Sequence, residues 1–118
     1  METHMKKIEA VIRKEKFPEV DQALKATGVG GLTYITAEGR GRSRGEEMLA
    51  DRGTRTYRPE YVERIKLEVI VKDSDMQRVI DAIMRTASTH SIGDGKIFLT
   101  SIEQVYDISS STSGESAL

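Results

Sequence analysis

Ile92-Gly93-Asp94-Gly95-Lys96 is the stretch of this 118-residue chain best suited to hold an anion. Glycines let successive backbone N–H groups converge on a phosphate, and a lysine one residue later adds positive charge where the phosphate needs neutralising. The spacing is not that of a Walker A loop, and the Ser or Thr that follows its lysine is missing. A plain β-turn is the simpler use, since Asp-Gly is a common turn pair. A second cationic stretch is Gly39-Arg40-Gly41-Arg42-Ser43-Arg44-Gly45, and all seven basic residues from Arg40 to Arg64 are arginines. The guanidinium fork pairs bidentately with phosphate or carboxylate in a way lysine cannot. Glu46, Glu47, Asp51, Glu60 and Glu63 can neutralise this stretch locally, which would leave a solvated loop. An RGG-like contact to single-stranded RNA is the competing use, opposed by sparse aromatic residues and a net charge of -1.

Other chemistry is poorly supplied. The chain has no cysteine, which removes disulfides, thiolate nucleophiles and Cys-bound zinc together. Its two histidines, His4 and His90, are far apart, so no metal site is expected. No Ser, His and acid arrangement can be assembled, and His90 lies in a polar Ser-Thr stretch where an exposed, idle imidazole is the simplest state. An enzyme acting on a phosphorylated substrate through Lys96 and Asp94 would still lack a positioned base. Tyr57 and Tyr61 sit in or at the end of a long loop and suit a partner contact, a modification or a loop anchor.

The elements that must position these residues can be read from periodicity. Lys7 to Arg13 alternates, with Ile8, Ala10 and Ile12 on one side and Lys7, Glu9, Val11 and Arg13 on the other, as in a strand with one buried face. Phe17, Val20 and Leu24 mark one face of a helix over Phe17 to Thr27, with Pro18 in its first turn and Gly28 as its stop. Gly31 to Ala37 suits a second strand. Arg40 to Tyr61 has no sustained period and is long for a connection in so small a domain, which points to function. Val62 to Lys72 alternates again, and Asp73 or Ser74 is placed to cap a helix whose apolar face runs Met76, Val79, Ile80, Ile83, Met84 and Ala87. Ile97-Phe98-Leu99 and Gln104 to Ile108 read as short strands, and residues 109–118 as a Ser-rich mobile tail.

This order predicts an α+β fold, a ferredoxin-like βαββαβ sandwich with both helices on one face of an antiparallel sheet. The other face is left open, and Val11 and Ile70 give it apolar character suited to burial in an oligomer. The length fits one domain, expected over residues 5–108. No apolar run approaches the roughly 20 residues that cross a bilayer, and no signal-peptide pattern opens the chain, so a cytoplasmic protein is expected.

Thr27-Gly-Val-Gly-Gly-Leu-Thr33, Gly39-Arg-Gly-Arg42, the long loop carrying a tyrosine, Arg64-Ile-Lys-Leu-Glu-Val69 and Ile92-Gly-Asp-Gly-Lys-Ile-Phe98 together resemble the PII signal-transduction family in order and spacing. The resemblance runs from about Met5 to Ile108, and the second glycine motif with its strand is its most specific piece. It implies a non-enzymatic homotrimer with an adenine nucleotide, ADP, AMP or ATP, in each cleft between neighbouring subunits. Val11, Thr33, Gly39, Gly41, Arg42 and Ile70 would surround the adenosine and phosphates, with Gly93, Asp94, Gly95 and Lys96 cradling phosphate. The long loop would be the family's T-loop, docking on a membrane transporter or metabolic enzyme, and Tyr57 matches the tyrosine that some bacterial members uridylylate.

The chain also departs from the family pattern. Ser43 stands where the family carries a glutamine that helps hold magnesium and 2-oxoglutarate, and Arg64 stands where a lysine commonly meets the 2-oxoglutarate carboxylate. Asp107-Ile108-Ser109-Ser110-Ser111 replaces a segment with two phosphate-binding arginines. Losing two cations and gaining an anion disfavours the most highly charged ligand, so ADP or AMP over ATP is expected, without the usual use of magnesium and 2-oxoglutarate. A variant of this reading has the chain sense inorganic carbon, with bicarbonate near Arg42, Ser43, Arg44 or Arg64.

Overall fold

The computed structural model describes residues 4–41, 48–49, 56–57 and 61–118. Strand β1 (Met5–Arg13) leads through a short 3-10 turn into helix α1 (Phe17–Ala26), then strand β2 (Thr33–Gly39). Two short strands, β3 (Met48–Leu49) and β4 (Thr56–Tyr57), pair with each other inside the long connection. Strand β5 (Val62–Lys72), helix α2 (Asp73–Ala87) and strand β6 (Gly95–Ser101) complete the core. The four long strands form one antiparallel sheet in the order β2-β5-β1-β6. This is the ferredoxin-like arrangement expected from the sequence.

The core lies where the alternation places it. Ile8, Ala10 and Ile12 of β1 and Ile65, Leu67, Val69 and Val71 of β5 are buried against Val20 and Leu24 of α1 and Val79, Ala82, Ile83 and Ala87 of α2. Mainly aliphatic side chains fill it, with Phe17 and Met76 packed at its margin, and β1 and β5 contribute every second residue. The intervening residues turn to the open face, where they carry the chemistry.

Two local expectations change. Neither Asp73 nor Ser74 caps α2: Lys72 holds the cap position, and no side chain bonds there. The Asp73 N–H instead donates to the His4 carbonyl at 2.8 Å, so the sheet start satisfies the helix end. Gln104 to Ile108 does not form a strand of the sheet. After Ile102, whose N–H reaches the Met5 carbonyl, this segment pairs with the following residues, Tyr106 opposite Ser113, with hydrogen bonds from Gly114 N to Val105 O and from Asp107 N to Thr112 O. The serine run expected as a tail therefore contains a local hairpin and ends in a 3-10 turn at Gly114–Ala117. None of its residues is buried in the core.

The long connection starts and ends at one place. Gly39 pairs with Val62, and the Arg40 guanidinium lies 5.8 Å above the Tyr61 ring, so a strand pair and a cation–π contact close the loop base.

Candidate functional site

Strand register arranges the open face in rows. Ala37, Arg64 and Arg13 lie side by side next to the loop base, followed by Ile35, Lys66, Val11 and Lys96, then Thr33, Glu68, Glu9 and Phe98. Ile70, Lys7 and Thr100 form the next row. Four cations thus share two adjacent rows at one end. Lys66 meets Glu9 at 3.5 Å and Lys7 meets Glu68 at 3.8 Å, which neutralises the middle of the face. Arg64 forms no ion pair among the described residues; its two terminal nitrogens donate to the Gly93 and Glu63 carbonyls, each at 3.3 Å. A guanidinium whose partners among the described residues are backbone carbonyls at long range is available to an incoming anion.

The Ile92–Lys96 turn closes over this end. Gly95 pairs with Ile12 and has φ +111°, and a Cβ there would run into the Val11 carbonyl oxygen and lie 2.9 Å from its carbon. Gly93 also has positive φ, 96°. Gly95 is therefore required by backbone geometry, and Gly93 adopts the left-handed region that favours glycine. Val11 and Lys96 are direct cross-strand partners, so the expected adenosine-side and phosphate-side residues adjoin here.

Asp94 behaves differently from its expected role. Its carboxylate does not face outward to a ligand but accepts from Arg13 Nε at 2.9 Å, Thr89 N–H at 2.7 Å, the Thr89 hydroxyl at 2.5 Å and Ser91 N–H at 3.3 Å. The 88–95 loop is wound around this one side chain. Burial pushes the Asp94 carboxyl up, but hydrogen bonds from the Thr89 hydroxyl, the Arg13 guanidinium and the backbone of Thr89 and Ser91 outweigh it and hold the group well below the ordinary carboxylate range. Asp94→Asn should therefore cost about 1 to 3 kcal/mol at neutral pH, because an amide N–H2 then faces donors. A carboxyl depressed in the folded state contributes fully above the unfolded value near about pH 4 and loses that contribution as pH falls below it. Urea unfolding of both forms should show the stability gap at pH 7 shrinking toward about pH 3. A gap that stays constant over that range contradicts the assignment.

The remaining candidates scatter. Gly39 ends β2, and Gly41 follows it, exposed. Thr33 lies one row beyond Lys66, and Ile70 lies four residues along β5 from it, about 13 Å away at strand rise. One copy of the chain does not bring Ile70 to the glycine turn. Arg42, Ser43 and Arg44 lie outside the described residues, as does the side chain of Tyr57, whose backbone pairs with Met48 in β4. Arg13 and Thr89 join the site without having been expected. Arg13 shares the outward side of β1 with Val11, which was the available signal. His90 is exposed, as its surroundings suggested. No group of three metal-ligating side chains occurs among the described residues.

Residues 5–112 match the family model described as "Nitrogen regulatory protein P-II". The chain belongs to the P-II family. The P-II protein "Nitrogen regulatory protein P-II 2" of Methanothermobacter thermautotrophicus is 40% identical over 114 residues, 97% of each chain. Among solved structures, the GlnK–ATP complex of B. subtilis superposes with a TM-score of 0.77 at 30% identity over 97% of both chains. The P-II protein of Arabidopsis thaliana bound to citrate gives 0.79 at 28% identity, covering 98% of this chain and 94% of that one. The glycine turn, the four-cation end and the long connection described above thus belong to a P-II family chain.

Proposed function

We propose that this P-II protein is a non-catalytic regulator that binds an adenine nucleotide in clefts between subunits of a homotrimer and signals to a transporter or enzyme through the 40–61 loop. The observation that carries the reading is the glycine turn, shaped by Gly93 and Gly95, with Arg64 and Lys96 beside it and no ion pair on either among the described residues. A glycine-shaped turn beside two such cations suits a phosphate chain. A cleft between copies is supported by the distance of Ile70 from that turn, and the neutralised Lys7, Glu9, Lys66 and Glu68 lattice suits a face covered by other copies. The B. subtilis relative with bound ATP supports the ligand class. No described helix is long and apolar enough to cross a membrane, so contact with a transporter would run through the loop.

Within this reading the nucleotide of choice is ADP or AMP, and magnesium and 2-oxoglutarate are not used in the usual way. Asp107 supports this. Hydrogen bonds from the Ser110 backbone, the Ser109 and Ser110 hydroxyls and the Ser109 backbone hold its carboxyl below the ordinary value, so it stays an anion. Calorimetric titration with AMP, ADP and ATP, with and without magnesium, is expected to show saturable ADP or AMP binding and weaker ATP binding. Equal or tighter binding of Mg-ATP would overturn the preference, and silence with all three would overturn the nucleotide reading. A second reading, bicarbonate as co-effector, is favoured by the Arg64 fork, which has no carboxylate partner among the described residues; bicarbonate should then change the heat of nucleotide binding, and Arg64→Gln should abolish that change.

A further inference from the structure

We infer that Arg13 is a positioning residue that sets the phosphate-holding geometry of the Gly93–Lys96 turn through Asp94, without itself touching the ligand. Its Nε donates to Asp94 Oδ1 at 2.9 Å, and a terminal nitrogen donates to the Ile92 carbonyl at 3.3 Å. Both partners are well shielded, with side-chain exposures of 13% for Arg13 and 19% for Asp94, so this is not a solvated surface pair. Asp94 in turn gathers the N–H groups of Thr89 and Ser91, fixing the approach to the turn, while Gly95 is pressed on the Val11 carbonyl two residues before Arg13. The turn is thus fastened to β1 at two points. One is backbone contact, which no substitution in β1 removes; the other is the Arg13 side chain.

These contacts to Asp94 and Ile92 have separate consequences. The Asp94 bond keeps the carboxylate oriented to accept the N–H groups of Thr89 and Ser91, so the chain leading into the turn is ordered before any ligand arrives. The Ile92 bond holds the residue that precedes Gly93, and with it the direction in which the Gly93 N–H points. Arg64 reaches the Gly93 carbonyl from the neighbouring strand, on the same row as Arg13. Two guanidiniums on paired residues therefore grip successive carbonyls of one turn. A turn fixed in this way costs no reordering when an anion binds. The ligand class, the phosphate chain of a nucleotide, rests on the reading proposed above; the fastening of the turn does not.

The test compares the full chain with Arg13→Gln, Arg13→Lys and a control, Lys14→Gln, which removes the neighbouring exposed ion pair to Glu63 at 3.0 Å. Each is titrated with adenosine, ADP and inorganic pyrophosphate, and amide hydrogen exchange is followed at Thr89 and Ser91. Arg13→Gln should weaken ADP and pyrophosphate by about ten-fold or more while adenosine changes less than about two-fold, because only phosphate uses the turn. Arg13→Lys should recover part of the loss, since an ammonium reaches Asp94 but not Ile92 at the same time. Thr89 and Ser91 should exchange faster in Arg13→Gln and not in Lys14→Gln. Equal losses for adenosine and ADP would reduce Arg13 to a general structural role, and unchanged exchange would overturn the inference. If the unaltered protein binds no nucleotide and no pyrophosphate, the proposed ligand falls; faster exchange in Arg13→Gln would then still uphold the fastening of the turn, and unchanged exchange would remove that too.

Discussion

Gly95→Ala is expected to lower folding stability by about 3 kcal/mol or more. Two costs combine. The residue has φ +111°, where an L side chain is strained by about 1 to 3 kcal/mol, and the new methyl would overlap the Val11 carbonyl oxygen, an overpacking cost of about 1 to 3 kcal/mol more. Val11 cannot step aside easily, because its backbone is bonded into the middle of the sheet between β5 and β6. A domain of this size would melt about 10 to 20 °C lower, compared at equal protein concentration in case assembly contributes. Gly30→Ala is the matched control, since nothing lies within 4 Å of its Cβ position and its φ is not positive; it should stay within about 0.5 kcal/mol of the parent. If the two variants melt alike, the turn is not pressed on β1 and the described site geometry fails with it.

The architecture was readable because its signals are local. Strict alternation in Lys7–Arg13 and Val62–Lys72 fixed both faces of the central strands, and the same residues are buried or turned outward in the structure. The glycine turn was readable for a similar reason, as two glycines flanking an aspartate before a lysine. What escaped depends on register between distant segments. Arg13 and Asp94 are 81 residues apart, and only the pairing of β1 with β6 puts the guanidinium against the carboxylate. Asp94 itself looked like a ligand contact because an aspartate in a glycine loop has no local mark showing which way it points. Its partners, Thr89 and Ser91, lie within five residues, yet a Ser-Thr stretch after a helix reads equally well as solvated loop. The misread strand at Gln104–Ile108 has a comparable cause: β-propensity marks an extended segment but not its partner, and here the partner is the serine run that looked too polar to pair. The cap of α2 was missed because the His4 carbonyl, remote in sequence, satisfies the helix end.

Replacing Asp107 and Ser109 together by arginine is expected to raise the affinity for ATP relative to ADP by about ten-fold. At present the Asp107 carboxylate is tied into its own turn, accepting from Ser109 N–H at 2.9 Å, the Ser109 hydroxyl at 2.8 Å and Ser110 N–H at 3.0 Å. It is thus held as a fixed negative charge at one of the two positions where the sequence resemblance implies phosphate-binding arginines. Asp107→Arg shifts the local charge by two units and Ser109→Arg by one. Against the single extra charge of ATP over ADP at about 8 Å in water, three units are worth about 1.5 kcal/mol, which is ten-fold in relative affinity. Salt screening lowers that figure and direct bidentate pairing raises it. The substitutions touch no core residue, so the fold should tolerate them. Asp107→Asn separates the two contributions: it removes one negative charge while leaving an oxygen to accept the Ser109 and Ser110 N–H groups, and should move the ratio about a third as far. Calorimetric titration of the three forms with both nucleotides measures the series. A ratio that does not respond to three units of charge would mean that the 105–114 hairpin never approaches the phosphates, and the expected preference for ADP or AMP would then have to come from the cation end of the sheet instead.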